Sequence, residues 1–176
     1  MSQKTLMINS DFAMNSNYSH NNPRVISLNI SRGGIPKWPV DSSYISSAGL
    51  RGDGHNHTKH YRPEQAVSIQ DIERLAELRQ EGFSLYCGVT GENMNVCHLN
   101  VNTLPLGTVL NFAGGVQFEI SKVRQPCYVL DSIHPKLKEA ILHRCGMYAK
   151  VLTEGILKVG ETIQVIKPKI EILIAS

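Results

Sequence analysis

Val116-Gln117-Phe118-Glu119-Ile120-Ser121-Lys122-Val123 reads as a strand, and it leads into Arg124-Gln125-Pro126-Cys127. Pro126 has no backbone N–H and cannot continue a central ladder, so the strand is expected to end or bulge there. Cys127 is then delivered at a rim, where reactive groups are usually displayed. In an extended chain Lys122 and Arg124 fall on one face, because side chains alternate with period 2. Nearby cations favour the thiolate, the form in which cysteine is a metal ligand or a nucleophile. A buried structural cysteine is the other reading, since free cysteine is among the most buried residue types.

Working outward, the chain continues to read as short strands. Arg24–Ile30, Thr108–Phe112, Met147–Thr153, Glu161–Lys167 and Ile170–Ala175 have the length and β-branched content expected of them. Ala66–Ile69 reads as a further strand running into a helix, with Ser68 and Asp71 fitting a capping box. Ile69, Ile72, Leu75 and Ala76 repeat at helical spacing, and Gly82 stands where a stop belongs. His134-Pro135 opens a second helix, with Leu137, Ala140 and Ile141 inward and an end near Cys145-Gly146. Many strands with glycine turns and only two helices indicate a mainly-β barrel or sandwich.

A length of 176 residues suits one domain with a real core, here residues 23–176. Residues 1–22, rich in Asn and Ser without apolar periodicity, are expected to be a flexible leader. A formal charge of +3 permits an anionic small ligand but is too mild and too evenly spread for nucleic acid. Cys87, Cys97, Cys127 and Cys145 form no C-x-x-C pair, so neither a disulfide framework nor a zinc ribbon is indicated. No apolar run is long enough for a membrane helix, and the N-terminus lacks a signal-peptide core. A reducing cytoplasm with free thiols is the expected setting.

Three loops stand out. Gly49-Leu50-Arg51-Gly52-Asp53-Gly54-His55-Asn56-His57-Thr58-Lys59-His60-Tyr61-Arg62 is dense in glycine and histidine. It fits a metal site, because His-x-His with a nearby Asp supplies ligands. It fits equally an anion cradle of glycine N–H groups with Arg51, Lys59 and Arg62, or a solvated polar loop. Gly91-Glu92-Asn93 could set a carboxylate and an amide beside a ligand, or make only a tight turn. Ser31-Arg32-Gly33-Gly34-Ile35-Pro36 reads as a plain turn.

Taken in order, Gly52-Asp53 with His60, Ala66-Val67, Gly91-Glu92-Asn93, Leu106-Gly107, Arg124-Gln125-Pro126-Cys127 and Arg144-Cys145-Gly146-Met147-Tyr148 resemble the MOSC domain. That module is named for the C-terminal part of molybdenum cofactor sulfurases. The resemblance covers residues 24 to 167 and implies a MOSC-type β-barrel related to the pyruvate kinase barrel domain. It also implies a link to the molybdenum cofactor (molybdopterin), by binding that anionic pterin or by handling sulfane sulfur. By position, Cys127 matches the family cysteine that ligates molybdenum or carries a persulfide. Gly52, Asp53 and His60 match the glycine–aspartate–histidine loop, Gly91, Glu92 and Asn93 the Gly-Glu-Asn turn, and Arg124 the arginine ahead of Pro-Cys. This chain has His60-Tyr61-Arg62 where many relatives have His-Gly-Gly, and it lacks one family proline before Arg124. It has no room for the pyridoxal-phosphate sulfurase domain, so full sulfurase activity is not inherited.

The resemblance thus implies a cofactor-binding or sulfur-carrier protein, with a cysteine desulfurase or a reductase as partner. An enzymatic version would reduce N-hydroxylated compounds, with Cys127 on the metal, Asp53 and His60 orienting the pocket, and Arg51 or Arg62 on the phosphate. Two other classes stay open. One is a zinc-dependent hydrolase built on His55, His57 and His60, with three ligands and an open position for water. The other is a non-catalytic interaction module, in which Cys127 is buried and slow to react.

Overall fold

The computed structural model describes residues 22–54 and 62–168. Their strands are β1 (Arg24–Ile30), β2 (Trp38–Val40), β3 (Ser42–Ser46), β4 (Gly49–Leu50), β5 (Val67–Asp71) and β6 (Met94–Cys97). Next come β7 (Val109–Phe112), β8 (Gln117–Val123), β9 (Met147–Thr153), β10 (Gly155–Lys158) and β11 (Ile163–Ile166). The helices are α1 (Ile72–Gln80) and a short α2 (Leu137–Ala140).

Eight strands form one sheet in the order β11-β7-β8-β9-β5-β6-β1-β2, and β10-β3-β4 form a smaller one. In the large sheet only β5 and β6 are parallel. Parallel neighbours need a long crossover, and α1 lies in it. β5 is buried along its whole length, as a central strand must be when both faces are covered. Val25, Leu28, Ile69, Met94, Leu110, Phe118 and Ile120 form the heart of the main core. Each such side chain contributes about 1.5–3 kcal/mol on burial. A second apolar cluster joins α1 to the α2 region through Leu75, Leu78, Leu130, Leu137, Ile141 and Cys145.

The fold is mainly β with two helices, as the strand pattern indicated. The sheet does not close into the expected barrel: among the described residues no continuous ladder joins β11 to β1. Their ends are linked by one bridge, Arg24 to Thr162, with Val25 N–H donating to Glu161 O at 2.9 Å and Gly160 N–H to Val25 O at 2.8 Å. The free end of the sheet is β2, with Pro39 at its centre opposite Asn29.

Three local expectations are corrected. Ser68 is a strand residue bonded to Asn93, and neither it nor Asp71 caps α1 through a side chain. The second helix spans one turn, because Leu142 N–H and Arg144 N–H donate three residues back, to Glu139 O and Ile141 O, and His143 takes a positive φ of 63°. The polar stretch that reaches Ala48, by composition a connection, instead holds β2 and β3, and β4 follows it directly. The strand expected at Ile170–Ala175 and nearly all of the leader lie outside the described residues. Among the described residues no helix is long and apolar enough to cross a membrane.

Asp71, at the junction of β5 and α1, carries a pH-dependent liability. One carboxylate oxygen accepts Val101 N–H at 2.7 Å, while the other is buried and has no hydrogen-bond partner among the described residues. Burial pushes its pKa up from 3.8 to about 6, against the Val101 hydrogen bond that pulls it down. Between those two values the folded chain holds more protons than the unfolded chain, so stability falls as pH rises through the window and stays lower above it. Asp71→Asn keeps an acceptor for Val101 and suits a helix N-cap. It is expected to raise stability at pH 7 by about 1–2 kcal/mol and to flatten the slope below pH 6. Urea denaturation at pH 5 and pH 7 checks this, and a destabilised variant at pH 7 would refute it.

Candidate functional site

Four segments converge beside the start of β2: the 31–37 loop, the turn after β4, the 88–93 loop and the chain just beyond β8. Lys37 and Asp53 are at the centre, their side chains 11% and 3% exposed. Asp53 receives Ser31 N–H at 2.9 Å on one oxygen, and Asn93 Nδ2 at 2.7 Å with the Lys37 ammonium on the other. Gly54 N–H donates to Ser31 O at 2.6 Å and Lys37 N–H to Gly88 O at 2.9 Å, which zips the loops together. At Gly88 a Cβ would lie 2.3 Å from Lys37 O, with φ at +83°, so only glycine permits that approach.

Glu92 is completely buried. It accepts Gly88 N–H at 2.7 Å, Thr90 Oγ1–H at 2.7 Å and Asn95 Nδ2 at 3.0 Å. Arg124 is also buried; it donates to Thr90 Oγ1 at 3.3 Å, to Cys145 O at 3.2 Å and to Thr90 O. Thr90 therefore stands between the buried carboxylate and the buried guanidinium. Burial works against the charge on Arg124, but Cys145, Glu92 and Tyr148 outweigh it and hold its pKa up.

Lys37 behaves differently. Burial lowers its pKa, and Arg124 adds to that; Asp53 and Glu92 oppose without reversing it. Cys145 lies in the same field: burial pushes its thiol up, Arg124 pulls it down, and Glu92 and Cys127 push it up again. Arg124 thus acts on both Lys37 and Cys145, and the exposed Cys127 acts on Cys145. Of the four cysteines, Cys127 alone is exposed; Cys97 and Cys145 are buried and Cys87 is half-buried. Cys127 leads into the 3-10 turn at Tyr128, with no side-chain capping bond.

The expected site residues separate accordingly. Asp53, Asn93, Glu92, Gly91 and Arg124 are brought together. Asp53, Glu92 and Arg124, however, are engaged by the protein's own groups and hold the loops in place. Lys122 and Arg124 do not share a face: the ladder shifts register between Ile120 and Lys122, leaving Lys122 exposed and Arg124 buried. Arg51 instead lies over the Tyr44 ring, 4.7 Å from its centroid, in a shallow groove with Ser42, Ser43 and Ile156. Gly52 and Arg62 are exposed, Arg62 just before a 3-10 turn at Pro63–Gln65. His55, His57 and His60 lie outside the described residues. Among the described residues no three His, Cys, Asp or Glu side chains gather to hold a metal ion. Lys37, flanked by Pro36 and Trp38, carries no sequence signal.

A family model described as the MOSC domain matches residues 56–164. The chain belongs to the MOSC domain family. A protein named "Reductase" from Gibberella moniliformis is 29% identical over 132 residues, covering 70% of this chain and 24% of its own. The MOSC chain described here therefore spans about a quarter of the length of that curated relative. Among solved structures, YiiM from Geobacillus stearothermophilus superposes with a TM-score of 0.69 at 23% identity, over 82% of this chain and 75% of that one. The YUAD protein from Bacillus subtilis gives 0.72 at 18% identity, over 84% and 97%. YiiM from Escherichia coli gives 0.62 at 19%, over 83% and 71%. At these identities the likeness is one of fold.

Proposed function

We propose that this MOSC protein is a cofactor-binding or sulfur-carrier protein that works through Cys127, as a ligand to molybdenum in the molybdenum cofactor or as a persulfide. The observation that carries this reading is the exposure of Cys127 among cysteines that are otherwise covered. A soft thiolate suits molybdenum or sulfane sulfur, and a pterin ending in a phosphate also needs a cation or N–H groups. Cys127 and Lys37 are the residues present that fit those two needs. When bound, such a cofactor supplies two-electron redox chemistry, and reduction of N-hydroxylated compounds is the enzymatic form we favour. The relative named "Reductase" supports that form. Asp53 and Arg124 then act by holding the loops that present Lys37 and Cys127.

In the carrier form, the Cys127 thiolate attacks the outer sulfur of a donor persulfide. The donor's S–S bond breaks, the donor leaves as a thiolate, and Cys127 keeps the sulfur as its own persulfide. A cysteine desulfurase is the matching donor, and a reductase is the partner in the redox form. Free thiols suit a reducing cytoplasm, where we place the protein. The Arg24 to Thr162 bridge supports reading the sheet as a barrel-type framework.

Elemental analysis and cyanolysis of freshly purified protein test the proposal. Wild type is expected to carry molybdenum or cyanolysable sulfur, and Cys127→Ser to lose it by about tenfold or more. Unchanged molybdenum and sulfur content in Cys127→Ser would sink it.

A further inference from the structure

Met147 and Ile69 lie opposite each other across β9 and β5 and belong to the main core. Their neighbours Tyr148 and Ser68 also lie opposite each other, and alternation turns them to the other face of the sheet. There Ser68 Oγ–H donates to Asn93 Oδ1 at 2.9 Å, and Asn93 Nδ2 donates to Asp53 at 2.7 Å. Tyr148 thus stands at one end of a polar row that leads to the Asp53–Lys37 pair. Its phenol also lies against the Arg124 guanidinium and helps to hold that charge. A guanidinium offers donors only, so the phenol meets it through its oxygen. The O–H proton is left over: among the described residues the Tyr148 hydroxyl donates to no acceptor. Tyr148 is half-buried, so this proton can reach a ligand and be replaced from water.

From this geometry we infer that Tyr148 is the acid of the site: its phenolic O–H donates to the hydroxyl oxygen of an N-hydroxylated substrate and protonates it as the N–O bond breaks. The inference rests on the redox form proposed above and adds the source of the proton. Reduction of R–NHOH takes two electrons, supplied by the reductase partner, and two protons. One proton passes from Tyr148 to the hydroxyl oxygen, which leaves as water. The nitrogen takes the other from solvent, giving R–NH2. The phenolate is left beside Arg124, whose charge offsets it until water returns the proton.

Phenylhydroxylamine is the probe, with dithionite as electron source and aniline as the product measured. Tyr148→Phe keeps the ring and leaves Arg124 its bonds to Thr90 and Cys145. It is expected to lower kcat by about a hundredfold or more, with KM and Tm close to wild type. A second readout needs no turnover. In protein isotopically labelled at tyrosine Cζ, phenylhydroxylamine is expected to move the Tyr148 resonance, assigned by its absence in Tyr148→Phe, in wild type and in Cys127→Ser alike. An unmoved resonance at saturating phenylhydroxylamine would overturn the inference. Aniline formation undiminished in Tyr148→Phe but abolished in Cys127→Ser would overturn it alone; a wild type that forms no aniline would overturn the redox form and this step together.

Discussion

Arg124→Met is expected to destabilise the fold by about 3 kcal/mol or more, because it leaves several buried acceptors without their donor and each such group costs about 1–3 kcal/mol. The guanidinium holds Thr90 O, Thr90 Oγ1 and Cys145 O, so its loss strands three polar groups. Glu92, completely buried, would lose the favourable field of that cation. Methionine matches the volume but supplies no donor. Arg124→Lys keeps the charge, yet a single ammonium cannot span acceptors on both the 88–92 loop and Cys145, so an intermediate loss is expected. Urea denaturation of the three proteins gives the comparison. A loss under about 1 kcal/mol for the methionine variant would show that the network is dispensable.

Gly146→Ala is expected to be nearly as damaging. Its φ is +88°, a region that costs a side-chain-bearing residue about 1–2 kcal/mol. The added methyl would also sit 2.0 Å from the Ile69 carbonyl oxygen, a backbone atom of central β5 that no rotamer change can move. Relief requires β5 and β9 to part where Ile69 opposes Met147. Because Gly146 O accepts Arg124 N–H at 3.1 Å, the displacement would also reach the buried guanidinium. A combined loss of about 3 kcal/mol lowers Tm by about 6–12 °C for a chain of this length. Calorimetry checks it; a Tm within about 2 °C of wild type would mean that the strands accommodate the methyl.

The strands that were legible are those whose own residues prefer extended backbone. Arg24–Ile30 and Met147–Thr153 fall where their β-branched and apolar runs placed them. β2 and β3 are not legible because Trp38-Pro39-Val40 and Ser42–Ser46 have connector composition; pairing with β1 and β10 makes them strands. At the site, the motifs identified which segments meet but not which groups remain available. Glu92 follows a turn glycine and could equally have faced a ligand; only its enclosure by Gly88, Thr90 and Asn95 makes it a loop-holding carboxylate. Lys37 is the converse case. A lysine between prolines belongs to no pattern, and its interest comes entirely from lying half-buried beside an aspartate 16 residues later.

The proline at the centre of β2 bears on how copies of this molecule meet one another. A sheet margin with regular amides invites a second sheet to dock edge-on, the first step towards fibrillar stacking. Pro39 has no amide hydrogen, so an incoming chain finds a missing rung in the middle of a three-residue margin. The residue that makes this strand hard to recognise in the sequence thus also keeps its outer side a poor template for self-assembly.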